Sequence, residues 1–588
     1  MGMHNRNCDK YFIVKLLLSI MLFFILLRNL GSLKEIWIIN DEFGYWGAAA
    51  FFAGKDWGGL MGSTPYYAFG YGIILAPLYA LFSSPETIYQ AAIILNVCLV
   101  CGGFWLAIRF GNIMFPKLDK LIIIFVAFLI SLYPNTVAQS QIAWPETLLI
   151  FLFWVAVNIF ISIVRSGSTL SIVLLAIIMG YMYTIHQRTL GIIVSATVVL
   201  FLLTYTKRIS WKKLLLFLTL LVSGILIQVF IKGELKEVLW KANNLLYIND
   251  YAGQAGKVNT IFSLDGVKRL IQSFLGKIFY LGGATLMLNL WGGWYCYYEI
   301  KEYLISIFKK KKVDDNKLIV IFVFCANILT YFITSIFLID ANRVDIVIYG
   351  RYNEIVIAPL IFCGIYQVWR SRLRWKEQYI NSIIMILMAV SVNRQLVDLE
   401  GTGFNAICSI GMFKYFHELD SIKYFSYYIA SKVIIISTVY LFVCCIVKYE
   451  KWKKLIIIGM CISMSYLWVG EADLFIEKSI LPAHERITND VGKMAKGIES
   501  QNIKEIYYVQ NDTTKRSFEI DNSNFNIKYL QFYLPDTKIQ AITYSELPKY
   551  KKEKAYLCFP SDSKLVNKLS SEYELVERSQ SLKVYKSK

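Results

Sequence analysis

The chain is poor in histidine, with four in 588 residues, and poor in charge, with 18% Asp, Glu, Lys and Arg. His4, His186, His417 and His484 are too scattered along the sequence to point to a histidine metal cluster. So little charge beside 56% hydrophobic residues and a mean hydropathy of +0.49 excludes an ordinary soluble multidomain protein. Ionisable residues are nearly missing from the centres of the apolar runs, since Lys15, Arg28, Glu354, Arg394 and Lys432 all fall toward ends. An ion-coupled transporter needs such groups at mid-depth, so their scarcity argues against one. Eleven cysteines give no disulfide framework, because most lie inside apolar runs as small buried hydrophobes. The Cys98-x-x-Cys101 spacing has no second pair and falls mid-helix. There is no solenoid period, heptad run or low-complexity linker.

What is present is apolar length. Windows of ~17–22 residues, enough to cross ~30 Å of hydrocarbon as helix, recur from Phe12 to Gly470, about thirteen in all. They include Phe12–Leu30, Leu121–Ala138, Ile278–Tyr297 and Tyr352–Trp369, and they predict an all-α polytopic membrane protein. The first has Lys10 before it and Lys15 within it, with no small-residue cleavage pattern after it, and reads as a retained signal anchor.

The net charge of +19 is carried by short basic loops that alternate along the chain, which is a topological signal rather than a nucleic-acid footprint. A cytoplasmic N-terminus puts Arg109/Lys117/Lys120, Lys207/Arg208/Lys212/Lys213, Lys309 to Lys312, Arg370/Arg372/Arg374/Lys376 and Lys448/Lys451/Lys453/Lys454 inside. Asp41, Glu146, Arg188 and Arg351 then lie outside, in a multi-pass protein of the plasma membrane. Residues 1–470 form the transmembrane part, with outer loops at 31–85 and 232–277. The amphipathic stretch Tyr66 to Leu81 is expected along the outer interface. From Glu471 to Lys588 the composition turns polar and predicts a small α/β extracytoplasmic domain, with strands at Lys504–Gln510, Asn526–Phe532 and Lys554–Phe559 and a helix at Ser561–Ser571.

The chemistry concentrates in the first outer loop. Asp41 stands where an N-cap would precede a helix Glu42–Ala53 ending at Gly54. Glu42, Tyr45, Trp46, Lys55-Asp56-Trp57 and Tyr66-Tyr67 crowd around it, more than one cap requires. Glu146 follows Pro145 at a helix start, where an acid is ordinary. Arg188 fits a phosphate or a headgroup contact equally. Arg351-Tyr352 reads either as an interfacial anchor or as part of a site.

Asp41-Glu42-x-x-Tyr45, Gly54-Lys55-Asp56-Trp57, the Pro65 to Tyr71 segment and Arg351-Tyr352 followed by Pro359 together resemble the GT-C superfamily of polyprenyl-phosphate-sugar glycosyltransferases. The likeness is to the glycosyltransferase family 39 type, the protein O-mannosyltransferases and the lipid A aminoarabinose transferase, and covers residues from about 12 to 370. It implies inverting transfer of a sugar from a polyprenyl-phosphate donor to an extracytoplasmic acceptor, with no covalent intermediate. Asp41 is then the catalytic base, with Glu42 positioning acceptor or base. Arg351 and Arg188 hold the donor phosphate, and Tyr45, Trp46, Asp56, Trp57, Tyr66, Tyr67, Glu146 and Tyr352 line the pocket. No cofactor is certain; some members use a divalent metal, which Asp41 and Glu146 would hold. The expected partners are the lipid-linked donor, a cell-envelope glycan, lipid or protein as acceptor, and membrane lipid, with no nucleic acid. A lipid-linked-glycan flippase or a surface-polysaccharide polymerase or ligase is the alternative, the latter drawing on the loop 232–277.

Overall fold

Side chains that water rejects are what many helices present outward. Ile13, Phe24, Leu215, Leu226 and Phe230 are each 64–69% exposed, an apolar surface that only a bilayer suits. The computed structural model describes residues 11–240, 252–309, 314–370, 375–418, 422–446, 450–510, 525–550, 555–568 and 573–588. His4, Lys10, Lys310 to Lys312, Arg372, Arg374 and Lys448 lie outside the described residues.

Among the described residues, nine helices are long and apolar enough to cross a membrane, or up to ten if a bent pair is one span. About thirteen crossings are expected; beyond these nine or ten, the shorter apolar helices are Gly70–Leu81, Lys120–Ser131 and Thr169–Ile185, and the expected window Tyr352–Trp369 holds the helix Ile357–Arg370. Two expected spans are interrupted. Leu121–Ala138 breaks after Ser131, and a new short helix starts at Pro134, which has no N–H to continue the old one. Ile278–Tyr297 is a 110° bend between Leu264–Ala284 and Leu288–Phe308. Leu286 and Met287 make that bend with φ of 52° and 66°, and neither is a glycine that would have announced it. Within 232–277 the described residues are largely helical, with Ser263 capping Leu264–Ala284 by accepting the Gly266 N–H at 3.0 Å.

The described basic residues between the spans gather at one end of the bundle. There Lys454 meets Asp119 at 2.8 Å, Arg208 meets Asp315 at 2.8 Å, Lys317 meets Glu302 at 2.6 Å and Arg370 meets Glu299 at 3.4 Å. The 30-residue helix Pro85–Met114, ~45 Å long at 1.5 Å per residue, separates that end from the one carrying Asp41.

Over the Asp41 end lies a five-stranded sheet: β1 (Glu505–Gln510), β2 (Lys538–Thr543), β3 (Tyr556–Pro560), β4 (Tyr573–Arg578) and β5 (Leu582–Ser587), in the order β2-β1-β3-β5-β4. β1 runs parallel to β2 and β3, while β5 is antiparallel to β3 and β4. Between β1 and β2 the segment expected as a strand, Asn526–Phe532, is instead part of the helix Phe525–Tyr533, making a parallel βαβ crossover. Residues 527 to 533 are all buried, so no helical polarity stripe marks the sequence. In Ser561–Ser571 the described part is a 3-10 turn, Lys564–Lys568, not an α-helix; Leu569 to Ser571 lie outside the described residues. The last apolar run does not stop at Gly470: helix continues from Trp452 to Ser500, into the sheet region.

Candidate functional site

The helix Asp41–Phe52 starts with two acids and ends at Gly54, whose φ of +79° closes it in the left-handed region. Asp41 is the first helical residue and the cap position falls to Asn40, with φ 72° and ψ −55° and no side-chain cap bond. The Asp41 carboxylate is thereby free to face across the fold. Its Oδ2 accepts from Arg351 Nη1 at 2.7 Å and its Oδ1 accepts from the Tyr67 hydroxyl at 2.6 Å. Arg351 Nε donates to Glu146 Oε1, so one guanidinium bridges two carboxylates from separate helices. Its Cζ lies over the Trp144 ring, 3.7 Å from the centroid. Burial disfavours the charge on Arg351, but Glu146, Tyr352 and Asp41 outweigh it and hold its pKa above the ordinary range.

Arg188 approaches from the turn after Thr169–Ile185. Its Cζ stands 3.6 Å over the Tyr352 ring, while that of Arg351 is 5.4 Å from the same centroid. Arg188 Nη1 is buried with no hydrogen-bond partner among the described residues. His186 packs on Tyr352 at 5.2 Å, and burial, reinforced by Arg188 and Arg351, pushes its pKa well below the usual value, so it is neutral. Tyr45 is buried beside Tyr67, at 5.3 Å between rings, and Glu146, Arg351 and Asp41 all act on it electrostatically.

The other expected site residues go elsewhere. Successive helical residues point about 100° apart, so Asp41 and Glu42 cannot address one pocket. Glu42 turns back instead, with Oε2 accepting the Trp37 and Ile38 N–H groups at 2.9 and 2.8 Å and Oε1 accepting the Tyr89 hydroxyl at 2.8 Å. It closes the loop rather than facing Arg351, and burial lifts its pKa to about 8. Asp56 accepts the Gly58 N–H at 3.1 Å and pairs with Lys538 of β2 at 3.3 Å. Trp57 donates to the Pro535 carbonyl at 3.3 Å, and Trp46 packs against Tyr79, Tyr89 and Phe532. These three fasten the loop to the sheet region. Tyr66 packs on Trp240 at 5.0 Å.

Several contributors carry little sequence signal. Trp144 precedes Pro145-Glu146 but reads as an apolar helix start. Glu354, three residues after Arg351, accepts from Tyr133 at 2.6 Å and Tyr280 at 2.8 Å and so anchors the Arg351 turn. The Gly350 and Arg351 N–H groups reach the Cys408 carbonyl at 2.8 and 3.2 Å, and a Cβ at Gly350 would collide with the Tyr280 ring. Lys528, from Phe525–Tyr533, donates to Asn40 Oδ1 at 2.7 Å, a contact no local pattern foretells.

The residues do not fit a divalent metal. Arg351 occupies the space between Asp41 and Glu146, and among the described residues no group of three or more His, Cys, Asp or Glu could hold one.

Two crystal structures are similar to this fold. One is ArnT from Cupriavidus metallidurans bound to undecaprenyl phosphate, with a TM-score of 0.50 at 12% identity, over 98% of this chain and 97% of that one. The second is the same protein in the apo state, with a TM-score of 0.49 at 13% identity and the same coverage. The fold is thus like that of ArnT, one of the proteins whose motifs the sequence resembles. No protein-family model matches the sequence, and no curated protein does.

Proposed function

We propose that this chain is a membrane glycosyltransferase that moves a sugar from a polyprenyl-phosphate carrier to an extracytoplasmic acceptor, a cell-envelope glycan, lipid or protein. The carrying observation is the Asp41–Arg351–Glu146 bridge beside Arg188, whose buried Nη1 has no hydrogen-bond partner among the described residues. ArnT, which shares the fold, binds undecaprenyl phosphate, and that supports a lipid-linked donor here. Positive-inside topology puts the N-terminus in the cytoplasm and residues 471–588 outside, as an extracytoplasmic domain. Nucleotide sugars are confined to the cytoplasm, so a site on the outer face needs a donor carried by lipid.

Asp41 takes the proton of the acceptor hydroxyl; each of its oxygens keeps a lone pair beyond the bonds from Tyr67 and Arg351. The acceptor oxygen bonds to the anomeric carbon as the bond from that carbon to the phosphate oxygen breaks, with inversion. The polyprenyl phosphate leaves with added negative charge, which Arg188 and Arg351 meet in a setting shielded from water. Tyr352, flanked by both guanidiniums, fixes their spacing, while Tyr67 and Tyr45 wall the acid side.

The test is to supply the purified protein in nanodiscs with a panel of polyprenyl-phosphate-linked sugars and envelope acceptors, following products by mass spectrometry. Transfer with release of polyprenyl phosphate is expected. Movement of intact donor across a liposome bilayer, without transfer from any donor, would replace this reading with a flippase.

A further inference from the structure

We propose that Lys528 is a positioning residue for Asp41: from the sheet region it holds Asn40 in a strained turn, and that turn aims the carboxylate. Asn40, at φ 72° and ψ −55°, lies close to the γ-turn geometry that is rare and strained for a residue with a Cβ. Its carbonyl is the acceptor for the Gly44 N–H at 3.0 Å, so its orientation sets how the Asp41–Phe52 helix begins. Lys528 Nζ donates to Asn40 Oδ1 at 2.7 Å and to the Ser63 carbonyl at 3.1 Å, and the residue is 1% exposed. Burying an ammonium is costly, and this one contacts both walls of the loop at the residue preceding the acid.

The same short helix grips the loop on either side of Asn40. Tyr533 donates to Glu35, Tyr529 donates to the Trp37 carbonyl at 3.2 Å, and Phe532 packs on Trp46 at 5.3 Å. Glu35 also takes the Thr488 hydroxyl at 2.9 Å and stands 3.1 Å from His484, both on the helix that continues from the last apolar run. Residues 35 to 46 are thus shaped by the sheet region, and the alignment of Asp41 is a property of the whole chain.

The inference rests on the transferase reading for its kinetic readout alone. In the full-length protein, Lys528→Met is expected to lower kcat about 100-fold, the scale of a ~1 Å misplacement of a reacting group. KM for the lipid donor should stay within about twofold. Amides of Trp37 to Phe43 should exchange deuterium at least about tenfold faster than in the wild type, a measure that needs no turnover. Adding Asn40→Gly to Lys528→Met is expected to restore most of kcat, because glycine takes positive φ unaided. Should Lys528→Met misfold, Asn40→Ala carries the same expectation, since it removes the acceptor and keeps the strain. Wild-type kcat and exchange in these variants overturns the proposal, as does a raised donor KM that Asn40→Gly fails to rescue, which would make Lys528 a phosphate ligand. If the wild type transfers nothing, the function fails and the exchange measurement still decides the positioning.

Discussion

Arg351 Nη1 stands 2.7 Å from Asp41 Oδ2, a charge-assisted bond between residues 310 apart in sequence. It joins the first polar loop to the turn before Ile357–Arg370.

Replacing Asp41 with asparagine keeps the shape and one acceptor but removes the base. Turnover should fall by ~10²–10⁴-fold with normal membrane insertion and a small change in melting temperature. Turnover in nanodiscs beside a thermal melt checks both halves, and near wild-type transfer would dismiss Asp41 as the base.

Arg351 is the counter-charge of Glu146, which is 1% exposed. Arg351→Met should therefore destabilise by ~3–5 kcal/mol, because it leaves a buried carboxylate uncompensated. The double change Arg351→Met/Glu146→Leu should regain most of that stability while staying inactive. Thermal unfolding in detergent, run beside the transfer assay, separates the two effects.

Arg188 stacks on Tyr352 and has no ion pair among those described, so its loss is expected to be felt by substrate more than by the fold. Arg188→Gln should raise KM for the lipid donor ~10–100-fold, the worth of one charged hydrogen bond, and cost at most ~1–2 kcal/mol of stability. Donor titration and a melt together test this, and an unchanged KM would remove Arg188 from the phosphate site.

Glu42 gives a pH signature. Its pKa, lifted by burial from 4.5 to about 8, means the native state binds a proton that the unfolded chain has released between those values. Stability should then decline as pH rises through that window, and level off above it. In Glu42→Gln the slope between pH 5 and 8 should flatten, because the amide does not titrate, while its carbonyl oxygen still accepts the Trp37 and Ile38 N–H groups. Melts across pH decide, and an identical slope in the variant would show that another group titrates.

The membrane architecture is legible in the sequence because a bilayer demands ~20 apolar residues per crossing and tolerates few charges, which leaves a coarse pattern. Asp41, Arg351 and Tyr67 are within reach for a related reason: polar groups beside long apolar runs are conspicuous. Glu42 is misplaced by a sequence reading because neighbouring helical residues face different ways, a fact hidden when two acids are read as a pair. The Phe525–Tyr533 helix escapes because burial on every side erases the polarity stripe. The turn at Leu286 and Met287 is set by packing, with no glycine to betray it.

The 488-residue separation between Asn40 and Lys528 also bears on the order of synthesis. At ~5–20 residues per second, the polar loop waits roughly half a minute to a minute and a half before its far wall leaves the ribosome. A nascent chain already threaded through the bilayer is therefore unfinished at its acid until the last fifth has been made, and a prematurely terminated copy would sit in the membrane as an inert bundle.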